Sequence, residues 1–256
     1  MSARRLFLFG IGCLLALAAP SARAEDRPMT GFLDRVHKDA DGKEAKYVLF
    51  VPKDYDAKAD KSWPVILFLH GAGETQGGTK QPVEVGIGTA IKAHEKTFPF
   101  ITIFPQSQKR TWQAGSADAD RALAILDEVM KGFKTDPKRV YLTGLSMGGY
   151  GTWSLAQKYP ERWAAIAPIC GGIGRSSGAD DFSAAAAKVK DVPCWDFHGD
   201  ADPAVPVAQS RGMMKALWDA GAHPNYTEYP GVGHNSWDKA YATADLYEWL
   251  LKHKSK

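Results

Sequence analysis

Cysteine is scarce: the 256 residues contain three, and Cys13 falls within the first 24. A disulfide-dense scaffold is excluded on that count. A surplus of charge is missing as well. The formal net charge is +3, and Arg4, Arg5 and Arg23 account for all of it, because no acidic residue precedes Glu25. A chain balanced in this way has no electrostatic reason to bind nucleic acid or an anionic membrane. The apolar stretch Leu6–Ala19 has 14 residues, short of the roughly 20 that a spanning helix needs. No internal repeat, low-complexity tract or linker-like Pro/Ser run divides the chain. No G-x-G-x-x-G follows a strand, no Walker loop is present, and no His/Cys/Glu cluster has metal-ligand spacing. Neither a cofactor nor a metal is therefore expected. What remains is ordinary globular material, 45% apolar and 24% charged, which excludes a disordered or collagen-like chain.

Residues 1–24 read as a secretory signal. Arg4 and Arg5 form a basic start, Leu6–Ala19 an apolar middle, and Ala22-Arg23-Ala24 a small-x-small cleavage pattern. Cleavage there puts Glu25 first and the protein outside the cytoplasm, secreted or periplasmic, with no stable membrane insertion once the signal is gone. Arg4-Arg5-Leu6-Phe7-Leu8 also resembles part of a twin-arginine signal, although Ala3 stands where Ser or Thr is usual. Cys170 and Cys194 would remain. They fall at the end of one strand and near the start of the next, an offset too long for a disulfide, so two buried free thiols are expected.

From Thr30 onward, short β-branched and aromatic runs alternate with helix-compatible segments. Strands are predicted at Thr30–Val36, Lys46–Val51, Pro64–His70, Phe100–Phe104, Val140–Leu145, Ala164–Ile169, Val192–His198 and Asn225–Tyr229. Helices are predicted at Val83–His94, Ala117–Lys131, Met147–Lys158, Phe182–Lys188, Ala208–Ala220 and Ala240–Lys252. Such alternation argues for an α/β architecture, a mostly parallel eight-stranded sheet with helices on both faces, and for one domain over residues 25–256. The first two strands, joined by the polar loop Lys38–Ala45, read as an antiparallel edge hairpin. Between Cys170 and Asp191 there is room for only a short helix, hence a minimal cap.

Gly144-Leu145-Ser146-Met147-Gly148 matches G-x-S-x-G. Chance alone produces that pattern in roughly one chain of this length in ten, so its context decides. A β-branched strand precedes it and a helical run follows, the frame in which glycines allow a sharp turn that lifts a serine hydroxyl to a helix N-terminus. A serine needs a base. In this frame the chain order is Ser, acid, His, which leaves His198, His223, His234 and His253. His234 lies in the Gly-rich loop Pro230–Trp237, after a strand and before the last helix, and is the candidate base. His198 lies on an apolar strand and reads as a core histidine. For the acid, Phe197-His198-Gly199-Asp200-Ala201-Asp202-Pro203 offers both Asp200 and Asp202; one of them would only shape the turn. A second Gly-rich loop, His70-Gly71-Ala72-Gly73-Glu74, follows the third strand, so the backbone N–H groups of Ala72 and Met147 are candidates for an oxyanion hole. Glu74 would orient that loop or touch substrate. Trp112 and Trp237, on loops at the same end of the sheet, are candidates to line a substrate site; Trp195 reads as core.

These stretches, together with Pro168-Ile169-Cys170-Gly171-Gly172 and Gly233-His234-Asn235-Ser236-Trp237, resemble the α/β-hydrolase superfamily over nearly the whole chain after the leader. Within it they resemble secreted esterases related to polyhydroxybutyrate depolymerases and feruloyl esterases, a group also labelled predicted peptidases. The resemblance implies an α/β-hydrolase fold, a Ser–Asp–His triad and carboxylic-ester hydrolysis. It implies Asp202 as the acid, because that group places it three positions after the His-Gly pair. The expected partner is a small-molecule or polymeric ester, with short-acyl or aromatic groups. Oligomeric state is not encoded in any of these features. The competing expectations are a serine peptidase of the prolyl-oligopeptidase kind, disfavoured without a propeller to gate peptides, and a catalytically silent hydrolase fold used for binding, disfavoured by an intact Ser, Asp and His set.

Overall fold

A computed structural model describes residues 30–78, 80–174 and 178–256. The predicted signal, residues 1–24, lies outside the described residues. Eight strands form one sheet: β1 (Gly31–Lys38), β2 (Glu44–Val51), β3 (Trp63–Leu69), β4 (Ile101–Pro105), β5 (Thr135–Leu145), β6 (Ala165–Ile169), β7 (Trp195–Gly199) and β8 (Asn225–Tyr229). Their spatial order is β1-β2-β4-β3-β5-β6-β7-β8. The β1–β2 pair is an antiparallel hairpin and β2 runs antiparallel to β4, while every later pairing is parallel. The helices are α1 (Ile87–Ala93), α2 (Ala117–Gly132), α3 (Met147–Lys158), α4 (Ala179–Val189), α5 (Ala208–Asp219), α6 (Trp237–Ala242) and α7 (Ala244–Lys252).

Side-chain alternation along β3 explains why both faces must be covered. Val65, Leu67 and Leu69 point into one apolar layer, shared with Leu126 of α2, Trp153 of α3, Ala186 of α4 and Met213 of α5. Ile66 and Phe68 point into the other, with Ile91 of α1, Tyr241 of α6 and Leu250 of α7. Every residue of β3, β4 and β6 is buried, as expected of central strands sandwiched between helices. Each fully buried Leu, Ile or Phe contributes ~1.5–3 kcal/mol over its exposed state. α2 shows how local chemistry fits this plan. The Ser116 side chain accepts from the Ala119 N–H at its start, Asp118 and Asp120 occupy the first turn, and Lys131 the last, a placement that matches the helix dipole.

Several predicted boundaries move, each for a visible reason. The helix predicted over Val83–His94 is divided by Gly86, whose φ of +56° is not helical; a 3-10 turn (Pro82–Glu84) precedes it and α1 follows. The helix predicted over Ala240–Lys252 is broken at Thr243, which is extended and bonds its hydroxyl to Lys239 O. β5 begins five residues early, through Pro137, where the pairing with β3 shifts register between Trp63 and Val65. Pro is tolerated at such an irregularity, where no ladder bond is required of it. α4 is longer than predicted, and it is the only helix between β6 and β7 among the described residues. No helix among them is long and apolar enough to cross a membrane.

Candidate active site

The C-terminal ends of the parallel strands meet at Ser146, the single residue between β5 and α3. Its backbone is held at φ +53°, ψ −115°, a region that non-glycine residues enter only when their surroundings impose it. The surroundings here are backbone. A Cβ on Gly148 would lie 1.8 Å from Leu69 O, and one on Gly144 would lie 2.5 Å from Gly148 O. The first turn of α3 therefore sits directly on the end of β3, at a separation that only glycine permits. Ser146 N–H donates to Ile169 O at 2.9 Å, tying the turn to β6 as well.

His234 reaches the serine from the loop between β8 and α6. Its Nε2 lies 2.9 Å from Ser146 Oγ and its Nδ1 lies 2.6 Å from Asp202 Oδ2. A carboxylate only accepts, so Nδ1 carries the ring hydrogen and Nε2 is left to accept from the serine hydroxyl. Trp237 stands edge-on against the imidazole, 5.3 Å between centroids. Asp202 follows β7, and its other oxygen accepts the Ala204 and Val205 N–H groups at 2.8 and 2.9 Å. Burial alone would push this carboxyl up; the hydrogen bonds from His234, Val205 and Ala204 outweigh it and hold the group below the ordinary carboxylate range. Asp200, the other carboxylate of the predicted pair, is exposed and accepts the Gly231 N–H at 2.6 Å, so it shapes the neighbouring loop instead. His198 is fully buried and hydrogen-bonded, as its strand position suggested.

Ala72 opens a 3-10 turn (Ala72–Glu74) after β3, and Met147 opens α3. First residues of helical turns have no intrahelical acceptor for their N–H, so both donors are free at this end of the sheet. Both residues line a cleft of about 400 Å³ together with Ser146, His234 and Trp112. The Ala72 loop is anchored from below by His70. Burial lowers this imidazole to about 4, so it is neutral; Nδ1 donates to Gly71 O at 2.6 Å and Nε2 accepts Ser107 N–H at 3.0 Å. Trp112 is buried, donates from Nε1 to His70 O at 3.0 Å, and presents only part of its ring to the cleft. Two candidates for the substrate site stand back from the cleft, and for Glu74 the alternative of orienting the loop remains. Glu74 is buried behind the loop, Oε2 unpartnered, and Trp237 supports His234 without lining the cleft.

The cleft also takes residues that sequence reasoning passed over: Arg110, Thr111, Gln113 and Tyr150. The first three ride on a loop organised by the buried Asp118. Its Oδ2 accepts Ser107 Oγ–H at 2.5 Å, Gln108 N–H at 2.9 Å and Lys109 N–H at 2.7 Å, while Arg121 holds the other oxygen. An acidic residue in the first turn of α2 was the available signal, but dipole matching explained it already. Cys170 and Cys194 are both buried free thiols, as expected. Cys170, Asp202 and His234 offer ligand atoms within 4.8 Å of one another. That set does not suit a metal, because burial pushes the thiol well up and keeps it protonated, and Asp202 and His234 are already bonded to each other.

A strand order of this kind, antiparallel at one edge and parallel thereafter with helices on both faces, is the α/β-hydrolase fold. The chain belongs to the dienelactone hydrolase family, whose model matches residues 47–245. It is 28% identical over 193 residues to a bifunctional acetylxylan esterase/xylanase of Neocallimastix patriciarum, covering 73% of this chain and 26% of that protein. It is 27% identical over 239 residues to a probable feruloyl esterase C of Aspergillus niger, covering 90% of this chain and 82% of that one. A solved structure of a thermostable esterase matches with a TM-score of 0.74 at 33% identity, over 88% of this chain and 63% of that one. The chain spans about a quarter of the length of the first curated relatives it matches.

The contact between α3 and β3 generates one expectation. Gly148→Ala should either fail to fold or lose at least about 3 kcal/mol, the upper end for overpacking, because the colliding atoms are backbone and cannot turn aside. Chemical denaturation measures it; a loss under about 1 kcal/mol would mean that the approach is looser than described.

Proposed function

We propose that the protein is a secreted or periplasmic serine carboxylic-ester hydrolase, with residues 25–256 forming one catalytic domain behind a cleaved signal. The observation that carries this reading is the hydrogen-bonded chain Ser146–His234–Asp202 opening on a cleft that Ala72 and Met147 also line. In the proposed mechanism Ser146 Oγ attacks the ester carbonyl and His234 Nε2 takes the hydroxyl proton. Asp202 steadies the imidazolium, and the Ala72 and Met147 N–H groups receive the negative charge on the carbonyl oxygen. His234 then returns the proton to the departing alcohol. A water molecule, deprotonated by the same nitrogen, releases the acid and restores the serine. No step calls for a cofactor.

The relatives support an ester substrate of the polymeric or aromatic kind: the names include acetylxylan esterase, feruloyl esterase and poly(3-hydroxyalkanoate) depolymerase. The site supports the short-acyl part of the reading. The cleft is about 400 Å³, and α4 is the only helix that could cover it from the β6–β7 connection among the described residues.

Three outcomes test this reading. Ser146→Ala should lower kcat/KM for a nitrophenyl ester by at least roughly a thousandfold with the fold intact, and Asp202→Asn by a comparable factor. Asp200→Asn should cost less than about threefold; the reverse ranking of the two carboxylates would unseat Asp202, and residual Ser146→Ala turnover above a tenth would remove the serine. Across a nitrophenyl acyl series, kcat/KM should peak at short chains and fall beyond roughly eight carbons, since each methylene left in water forgoes ~0.8 kcal/mol. A steady rise to palmitoyl would require a deep acyl tunnel. For export, N-terminal sequencing of the extracytoplasmic protein should begin at Glu25; an intact Met1 there rules the cleaved signal out.

A further inference from the structure

A second imidazole stands against the carboxylate of Asp202. His198, on β7, is fully buried. Its Nε2 lies 3.0 Å from Val205 O and 3.3 Å from Asp202 Oδ2, the same oxygen that His234 holds at 2.6 Å. A carbonyl oxygen only accepts, so Nε2 carries the hydrogen and donates it to Val205 O, with Asp202 Oδ2 as a near neighbour and not a second acceptor. Nδ1 is then bare, and it accepts from the Ser210 hydroxyl of α5 at 2.7 Å. Ser210 is itself buried. Two residues before His198, and so on the same face of β7, lies Asp196, also fully buried. Both of its carboxylate oxygens fall outside hydrogen-bond geometry, with Ser210 the side chain that bears on them. Burial pushes the Asp196 carboxyl up to about 8.

We propose that His198 is a positioning residue for the acid: it ties down Val205, whose N–H Asp202 accepts, and stands against Asp202 Oδ2 where His234 needs it, while Ser210 holds the tautomer that lets it do so. This rests on the reading of Ser146, His234 and Asp202 given above. A buried histidine is expensive unless each ring nitrogen has a partner, and both nitrogens of His198 have one. Here the N–H of His198 holds the carbonyl of Val205, whose own N–H donates to Asp202, without adding a charge beside the imidazolium that forms during turnover. A flipped His198, with Nε2 bare, would face two acceptor oxygens with a lone pair. The titratable groups that surround this chain are Asp202, His234 and the β8 partner Glu228 around His198, and Cys194, Cys170 and the β8 partner Tyr226 around Asp196.

The experiment uses the full folded protein, with active sites counted by a fluorophosphonate so that misfolded material does not enter kcat. His198→Leu removes the donor and keeps the bulk. It should lower kcat roughly 10- to 100-fold, the scale on which a misplaced catalytic group acts, and leave KM within about twofold because no substrate contact is lost. His198→Gln, whose amide N–H can reach the Nε2 position, should recover most of the rate. Ser210→Ala leaves every contact to Asp202 in place but frees the tautomer; it should lower kcat in the same direction, and Ser210→Thr should restore it. The low-field proton resonance of the His234–Asp202 bond should shift or broaden in His198→Leu and Ser210→Ala, and stay unchanged in the Asp200→Asn control. If His198→Leu does not fold, the Ser210 pair decides. Unaltered kcat and an unaltered resonance in Ser210→Ala or His198→Leu, with Ser146→Ala silent, overturn this proposal alone. Hydrolysis that survives Ser146→Ala overturns the site reading beneath it.

Discussion

The cleft depends on one steric contact, the approach of the first turn of α3 to the carbonyl end of β3. Gly148 and Gly144 allow backbone to touch backbone there, and the strained conformation of Ser146 is the geometric result. If the helix stood farther off, the Met147 N–H would no longer share a cleft with Ala72, whose loop leaves the end of the same strand. Helix propensity works against this arrangement, since α3 holds Gly148, Gly149 and Gly151 within its first five residues, and glycine inside a helix costs about 1 kcal/mol relative to alanine. Burial of Trp153 and Leu155 against the sheet offsets that loss.

Around this contact the polar groups are arranged in buried, neutral or compensated units. His70 anchors the Ala72 loop as a neutral imidazole, Asp118 gathers the N–H groups of the Ser107–Lys109 segment, and Asp202 is held by donors on both oxygens. Each device fixes a loop through a side chain on, or next to, a regular element. Loops carry the chemistry-bearing residues, yet little freedom is left to those that face the cleft.

The eight strands, their parallel run and the edge hairpin were legible because central strands read as unbroken apolar segments and the hairpin alternates. The meeting of Ser146 and His234 with a carboxylate after β7 was legible too, since each lies in a Gly- or Asp-rich loop directly after a strand and parallel strands end at the same side; loop position left Asp200 and Asp202 open, and the family resemblance pointed to Asp202. What sequence could not supply was the third dimension of the support. Nothing about Asp118 in a helix N-terminus, or Ser210 inside α5, signals that its side chain turns inward to serve another loop. For Glu74 and Trp237 the alternatives stayed open for a related reason: a loop near a cleft has an inner and an outer face, and no periodicity tells them apart. The breaks at Gly86 and Thr243 were hidden because apolar spacing continues across both.

The sheet is not uniformly knit. β5 pairs with β6 over five residues, whereas among the described residues β6 is in register with β7 at Ile169–Phe197 and at the isolated bridge Ile166–Cys194, with backbone bonds from Ile166 N–H to Pro193 O and from Cys170 N–H to Phe197 O. This thin seam runs through the site. Ser146 is bonded to β6 on one side of it, while Asp202 and His234 follow β7 and β8 on the other. A change of angle across the seam therefore alters the distance from His234 to Ser146 and leaves the distance from His234 to Asp202 as it was. In the proposed mechanism the proton passed from Ser146 to His234 crosses this seam, whereas the bond from His234 to Asp202 stays on one side of it.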